Sequence, residues 1–214
     1  MEYIHLRKTL PMVFADRDDI SSEIWQKDLT FHKGKCYLIE AASGTGKSSL
    51  CSYIYGYRHD YSGDILFNDK DIKSHSINDW IAIRKRSLSI LFQELRIFPE
   101  LTAYENIQLK NKLTKYKEEK DIKSYFEILG IEDKLEQKAG RLSFGQQQRV
   151  AFIRSLCQPF DFILLDEPIS HLDDENGAII GRLLIEEAEK QGAGIIVTSI
   201  GKHINIKYDS IYKL

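Results

Sequence analysis

Proline and cysteine are both scarce in this sequence, and no long apolar run occurs. Only 4 of the 214 residues are proline and 3 are cysteine. Cys36, Cys51 and Cys157 stand singly among apolar residues without metal-ligand spacing, so we expect buried thiols in a reducing compartment rather than disulfides. No stretch approaches the ~20 apolar residues of a membrane-spanning helix, and residues 1–5 show no signal-peptide pattern. We therefore expect the protein to act on a membrane only through a partner.

An excess of charge of either sign is also absent. Charged residues make up 29% of the sequence, and the formal net charge is −2. This balance gives no general attraction to nucleic acid, so no nucleic-acid partner is expected. A chain of this length suits one α/β domain with a small subdomain.

Short apolar runs alternate with helical segments along the chain. The apolar runs predict strands at residues 35–39, 65–67, 89–92, 162–165, 195–198 and 210–212. Ser62, Gly63 and Asp64 predict a turn that leads into the second of these strands. The helices are predicted at residues 48–55, 77–85, 121–129 and 176–190. This alternation favours a parallel sheet covered on both faces, with ligands bound at the carboxyl ends of its strands. A polar, helical stretch from about residue 94 to 140 interrupts it, which predicts a separate helical subdomain.

The first strand-to-helix turn has the composition of a phosphate-binding loop. Its candidate binding residues are Ala42, Ser43, Gly44, Thr45, Gly46, Lys47, Ser48 and Ser49. Gly44 and Gly46 let backbone N–H groups approach an anion at a helix N-terminus. Lys47 can reach the β- and γ-phosphates, and the Ser48 hydroxyl can bind Mg²⁺. The alternative is an ordinary Ser/Gly turn, but the buried strand before it favours phosphate binding.

Two carboxylates follow the strand at residues 162–165. Mg²⁺ needs an oxygen anion near the phosphate loop, and hydrolysis needs a base for water. Asp166 fits the first role, and Glu167, one residue further along, fits the second. An acidic turn that caps a helix is the alternative, and the phosphate loop upstream favours the catalytic interpretation.

Between these two sites lies a segment, residues 142–151, with the sequence LSFGQQQRVA. It resembles the signature sequence of the ABC ATPases, and the resemblance extends over essentially the whole chain. Gln93 matches the Q-loop glutamine, which in the family serves both catalysis and Mg²⁺ binding, and residues 170–173 resemble the D-loop. Phe14 falls where the family places an aromatic residue that stacks on adenine. The Phe14 match depends on spacing alone, and a plain core phenylalanine is the alternative.

The resemblance implies an α/β fold with a P-loop NTPase core. A single ABC ATPase domain would span residues 1–214, with the nucleotide-binding core at 1–93 and 158–214. The core would contain a parallel sheet and an antiparallel β portion near the N-terminus. An inserted α-helical subdomain at 94–157 would carry the signature.

The resemblance also implies ATP and Mg²⁺ as cofactors and a homodimer, or pseudo-dimer, that forms head to tail on ATP binding. Each ATP would lie between the phosphate loop of one copy and the signature of the other. Ser143 would offer its hydroxyl to the γ-phosphate, and Gly145 would offer its backbone N–H at a helix N-terminus. Gln146 would lie beside them. Asp173 would couple the two sites.

A separately encoded membrane permease or other membrane subunit is the implied partner, contacted by residues 95–106. The implied location is cytoplasmic, on the inner face of the cell membrane. The stretch from residue 62 through Gln93 to residue 106 is most similar to the lipoprotein-release, macrolide-export and cell-division branch of the family. An ATPase that powers transport is the leading hypothesis, and a nucleotide-gated switch of the cell-division type is the alternative. ABC proteins of translation or DNA repair fit poorly, because neither paired cassettes nor long coiled-coil insertions are present.

Three residues depart from the family pattern. Ala41 replaces the first glycine of the phosphate loop, and Phe144 replaces the first glycine of the signature, where its side chain must avoid the nucleotide or rest on the partner. Ser199 aligns with the catalytic switch histidine. Serine is shorter and cannot carry a positive charge, and losing one preorganised donor typically costs ~10²–10³ in rate. We therefore expect nucleotide binding to persist and hydrolysis to be slow, since nearby His203 would need a loop shift to substitute.

Overall fold

The computed structural model describes residues 1–17 and 20–214. The strands are β1 (Tyr3–Pro11), β2 (Asp28–His32), β3 (Cys36–Glu40), β4 (Tyr61–Phe67), β5 (Lys70–Asp71), β6 (Leu88–Leu91), β7 (Phe162–Asp166), β8 (Gly194–Ser199) and β9 (Ser210–Lys213). The α-helices are α1 (Lys47–Ile54), α2 (Ile77–Arg86), α3 (Ala103–Thr114), α4 (Glu119–Ile128), α5 (Phe144–Leu156) and α6 (Asp174–Gln191). Short 3₁₀ turns occupy Met12–Phe14, Ile72–Ser74, Glu132–Lys134 and Ala139–Arg141.

Two sheets confirm the predicted fold class. The parallel sheet has the order β6-β7-β8-β3-β9, so the strands before the phosphate loop and before the acidic pair both lie next to β8. The antiparallel sheet has the order β2-β1-β4-β5 and contains the N-terminal strand. Helices α3, α4 and α5 lie between β6 and β7 in the chain, which is the predicted helical insertion.

The largest boundary error concerns β4, predicted at 65–67 and observed from Tyr61. Ser62 and Gly63 were expected to form a turn. Instead Gly63 lies inside the strand with φ +75°, opposite a register shift in β1 between Arg7 and Leu10. A Cβ on Gly63 would lie 2.4 Å from the Lys8 carbonyl oxygen, so this glycine allows a β-bulge rather than a turn. The other strands and helices predicted from the pattern start and end within two residues of the observed bounds.

Apolar side chains pack on both faces of the parallel sheet. On one face lie the helical insertion and α6, and on the other lie α1 and the antiparallel sheet. The prediction of free, buried cysteines is confirmed for Cys36, Cys51 and Cys157, and burial raises the pKa of each thiol. Within the two described ranges, no helix has the length and apolar character that crossing a bilayer requires.

A buried polar network joins the helical insertion to α6. Glu187 is only 1% exposed and accepts hydrogen bonds from the hydroxyls of Tyr116 at 2.6 Å and Tyr125 at 3.0 Å. Lys117 forms an ion pair with the same carboxylate, and Gln191 donates to it at 2.8 Å. Four donors thus compensate one buried charge.

Lys117→Met is expected to lower the free energy of unfolding by about 3 kcal/mol, because it leaves the buried Glu187 carboxylate without its counter-ion. Urea denaturation measures the loss. Lys123→Met is the matched control, since Lys123 pairs with Glu119 one turn away on the exposed face of α4. The control should lose no more than about 0.5 kcal/mol. Equal losses in the two variants would contradict the role of this network.

Candidate functional site

The phosphate loop connects β3 to α1, and its backbone explains which glycines it needs. Gly44 has φ +80° and Gly46 has φ +101°, a region that residues with a side chain rarely adopt. A Cβ on Gly46 would also lie 3.1 Å from the Trp25 ring and 3.2 Å from the Phe14 ring. Ala41 has no positive φ, and its N–H donates to the Ser199 carbonyl at 3.1 Å. Alanine therefore replaces the usual first glycine here without backbone strain.

Lys47 is buried at the start of α1, where its ammonium group lies between the loop and the acidic pair. Its Nζ donates to the Ala42 carbonyl at 2.8 Å and lies 3.8 Å from Oε1 of Glu167. The charge is therefore held where the loop N–H groups and a carboxylate meet. A phosphate group entering the loop would meet this cation directly.

The acidic pair lies at the end of β7, as predicted. Asp166 is buried, and its Oδ1 accepts a hydrogen bond from the Thr198 hydroxyl at 2.6 Å. Glu167 has φ +51°, which is uncommon for a residue with a side chain, and its N–H donates to the Thr198 carbonyl at 3.1 Å. This strained conformation is typical of functional sites. β8 therefore positions both carboxylates through a single threonine that the sequence alone did not indicate.

Side-chain oxygens suited to Mg²⁺ converge beside the loop. The Ser48 hydroxyl donates to Oε1 of Gln93 at 3.2 Å, so two predicted metal ligands are in contact. In the described part of the chain, no three His, Cys, Asp or Glu residues form a metal-binding group. A Mg²⁺ ion fits these residues because it keeps several waters and takes phosphate oxygens, with few protein ligands.

These groups line a cleft of about 350 Å³. Its wall is formed by Val13, Phe14, Arg17, Ser43, Gly44, Gly46, Lys47, Ser48, Ser49, Gln93, Glu167 and Ile200. The structure thus brings together the phosphate loop, the Q-loop glutamine, the proposed base and the aromatic residue. No signature residue from 143 to 146 lies in this wall, nor does Asp173. Within one copy of the chain, the two halves of the expected ATP site therefore lie at different places.

Phe14 lines the same cleft as Glu167 and is only 6% exposed. The Arg17 guanidinium lies 4.5 Å from the centre of its ring and covers one face. Adenine stacking on Phe14 stays a prediction, and it requires either the uncovered face or a shift of Arg17. Arg17 was not among the predicted site residues, and its spacing of three residues from Phe14 is the signal that could have suggested it.

The signature forms the N-terminus of α5. The Ser143 hydroxyl accepts from the Gln146 N–H at 3.3 Å, and the Gln146 side chain accepts from the Ser143 N–H at 2.9 Å. This capping box uses both side chains, so Gln146 contributes by shaping the helix terminus. A Cβ on Gly145 would have ordinary contact distances of 3.5 Å or more, so the fold itself does not require glycine there.

Phe144 turns its ring toward the D-loop. The ring meets His171 edge to face, with 4.4 Å between ring centres, and Nδ1 of His171 lies 2.8 Å from the Ser170 hydroxyl. Asp173 caps α6 by accepting from the Asn176 N–H at 2.8 Å, and this hydrogen bond lowers the pKa of the Asp173 carboxyl. The signature and the D-loop are thus in contact within one chain.

Gln148 connects the signature helix to the proposed base, although it was not among the predicted site residues. Its Nε2 donates to the Pro168 carbonyl at 2.8 Å and to the Glu167 carbonyl at 3.4 Å. The side chain is buried because Gln148 lies on the same face of α5 as the buried residues Ala151 and Phe152. A movement of α5 would therefore displace the turn that carries Glu167.

Ser199 is buried at the end of β8, and its hydroxyl donates to the Lys202 carbonyl. The neighbouring residue in the cleft wall is Ile200. His203 is exposed and packs edge-on against Tyr208, with 6.0 Å between ring centres. Neither the serine hydroxyl nor the His203 imidazole is among the cleft-lining groups.

The chain is similar in sequence and in structure to known proteins. A profile of the ABC transporter family matches residues 25–170. The chain is 34% identical to the uncharacterized ABC transporter ATP-binding protein YclH of Bacillus subtilis (strain 168), over 83% of this chain and 79% of that protein. It is 33% identical to the lipoprotein-releasing system ATP-binding protein LolD of Syntrophotalea carbinolica, over 86% of this chain and 81% of LolD.

The fold is similar to that of MJ0796, a bacterial ABC transporter cassette with a solved dimeric structure. The TM-score is 0.76 at 26% identity, over 92% of this chain and 87% of MJ0796. A second MJ0796 structure, with a TM-score of 0.74, is a dimer in a post-hydrolysis state with ADP and Pi bound.

Proposed function

This chain belongs to the ABC transporter family as an ATP-binding subunit, and from this premise we propose that two copies bind MgATP between them. Each nucleotide would be held by the phosphate loop of one copy and the signature of the other. The γ-phosphate would then join the copies, and hydrolysis would release them.

The observation that carries this proposal is the separation of the two halves of the site. Lys47 and Glu167 lie 3.8 Å apart in the cleft, whereas Ser143 and Gly145 lie outside its wall at another helix N-terminus. Both places suit an anion. A second copy, turned head to tail, brings the second anion-binding N-terminus to the first cleft. The dimeric structures of MJ0796 support this arrangement.

Within the site, the residues have distinct roles. Lys47 and the loop N–H groups hold the phosphates, and Ser48, Gln93 and Asp166 would hold Mg²⁺ directly or through its waters. Mg²⁺ would neutralise charge that develops on the phosphates. Glu167 would accept the proton of the attacking water. Phe14 would stack on adenine, and Asp173 would couple the two sites.

Sedimentation of the purified chain tests the dimer. We expect monomers without nucleotide or with MgADP, and dimers with MgATP. A monomer at saturating MgATP would contradict the shared site.

The partner proposed for this dimer is a separately encoded membrane subunit on the inner face of the cell membrane. The stretch 95–106 would contact it, and Phe98 on that stretch is exposed. LolD, a relative, is named as the ATP-binding protein of a lipoprotein-releasing system, and this supports the proposal of a membrane partner. We retain the division of one domain into a core, 1–93 and 158–214, and a helical subdomain, 94–157.

A second candidate is a slowly hydrolysing switch that regulates a membrane partner without moving a substrate. The position of Ser199 favours it, because the serine hydroxyl is bonded to Lys202 rather than facing the cleft. Slow hydrolysis would suit a switch better than a pump.

Ser199→His is expected to raise the turnover number for ATP by up to about 10²-fold, since it adds a donor near the γ-phosphate. Ser199→Ala should change turnover little, because the serine hydroxyl does not line the cleft. Steady-state phosphate release measures both. A strong loss in Ser199→Ala would show instead that the serine itself acts in hydrolysis.

A further inference from the structure

Two exposed apolar side chains flank the two separated halves of the ATP site. Phe144 is 45% exposed and lies between Ser143 and Gly145 in the signature. Ile200 is 44% exposed and lies in the cleft wall, directly after Ser199. Because we propose that this site is shared between two copies, exposed apolar side chains beside it are candidates for contact with the second copy, and aromatic residues are enriched in the cores of such interfaces.

The Phe144 ring is held in place before any partner arrives. It packs edge-on against His171, and His171 is in turn held by the Ser170 hydroxyl at 2.8 Å. The Ser170 hydroxyl also donates to the Glu167 carbonyl at 3.2 Å. A preorganised aromatic residue loses little freedom on binding, which is typical of residues that contribute most to an interface.

The position of Phe144 in the signature determines which part of the cleft it can face. Ser143 and Gly145 would bind the γ-phosphate, so the side chain between them must lie over the γ-phosphate end of the partner's cleft. At that end are Lys47 and Glu167. Ile200 lines the same cleft and follows Thr198 by two residues, and the Thr198 carbonyl accepts a hydrogen bond from the Glu167 N–H. Val13, the other exposed apolar residue of the wall, neighbours Phe14, which we propose stacks on adenine.

We propose that Phe144 of one copy packs on Ile200 of the second copy in the ATP-bound dimer. The inference rests on the proposed function, because it requires the head-to-tail dimer. The contact occurs twice in a symmetric dimer. It buries apolar surface next to the γ-phosphate and excludes water from the side of the cleft where Ser199 leaves no long polar side chain.

Cross-linking between chains that each carry one introduced cysteine tests this contact. One chain carries Phe144→Cys and the other carries Ile200→Cys, both combined with Glu167→Gln to slow hydrolysis. The native cysteines give little background, because all three are buried and free. A short bis-maleimide is the reagent, since its length fills the space that the phenylalanine ring vacates. We expect strong cross-linking of the mixed chains with MgATP and little without nucleotide.

The matched control replaces Ile200→Cys with Ile211→Cys. Ile211 is a similarly exposed isoleucine, 52% accessible, on β9. It lies outside the cleft wall, so this mixture should stay at background. Phe144→Ala and Ile200→Ala should each raise the dimer Kd about tenfold, and their effects should not add, because both remove the same contact.

Sedimentation of the same mixtures separates the possible failures. A MgATP-dependent dimer without 144–200 cross-linking would overturn this inference and leave the shared ATP site intact. Equal cross-linking at residue 211 would overturn it as well. Absence of any dimer with MgATP would overturn the proposed function, and this inference with it.

Discussion

Glu167→Gln is expected to lower the rate of ATP hydrolysis by about 10²- to 10⁴-fold while ATP remains bound. The amide keeps the size of the side chain but cannot accept the proton of the attacking water. It also removes a negative charge that lies 3.8 Å from Lys47, and this charge would otherwise repel the γ-phosphate. We therefore expect a long-lived dimer with MgATP, because binding persists and the step that releases the dimer does not occur.

Single-turnover phosphate release and sedimentation measure the two parts of this expectation. Glu189→Gln is the matched control, since it makes the same chemical change at an exposed position of α6. The control should hydrolyse ATP at the unaltered rate and should not trap a dimer. An unchanged rate in Glu167→Gln would show that another group activates the water.

Lys47→Ala is expected to weaken ATP binding by at least about 10²-fold. The ammonium group is the cation that the structure places between the loop and Glu167, and losing a buried partner of a phosphate charge costs about 3 kcal/mol or more. Without Lys47, the Glu167 carboxylate would face the phosphates uncompensated. Affinity and dimer formation should therefore both be lost.

Isothermal titration with a slowly hydrolysed ATP analogue measures the affinity. Lys190→Ala serves as the control, because that lysine is exposed near the C-terminal end of α6. A thermal unfolding curve shows whether the variant is folded, which matters because Lys47 is buried. A folded Lys47→Ala protein that binds the analogue with the original affinity would refute the phosphate-loop assignment.

Much of the core was predictable because its signals are local. The parallel strands are continuous apolar runs, and both faces of that sheet are indeed covered. The phosphate loop and the acidic pair each follow such a strand, so their meeting at one sheet edge follows from parallel pairing alone. The signature was located by its resemblance to the ABC ATPases, and the structure adds that its serine and the glutamine three residues later form a capping box.

Contacts between residues distant in sequence were not predictable in this way. The pairing of Thr198 with Asp166, the anchoring of Glu167 by Gln148 and the four donors around Glu187 depend on which elements become neighbours. A buried glutamate on a helix has no signal in a single sequence, since exposed glutamates are common there.

Departures from the family pattern needed the structure for their interpretation. Ala41 turned out to occupy a backbone conformation that alanine adopts freely. The direction of the Phe144 ring followed from His171, which no spacing rule connects to the signature. Gly63 was wrongly predicted to lie in a turn, because a single sequence does not distinguish a glycine in a turn from a glycine opposite a β-bulge.

A crystal structure of the Glu167→Gln variant with MgATP tests the shared nucleotide site most directly. We expect each γ-phosphate to contact Lys47 of one copy and the Ser143 hydroxyl and Gly145 N–H of the other. An ATP molecule bound by the cleft of one copy, with both signatures facing solvent, would contradict it.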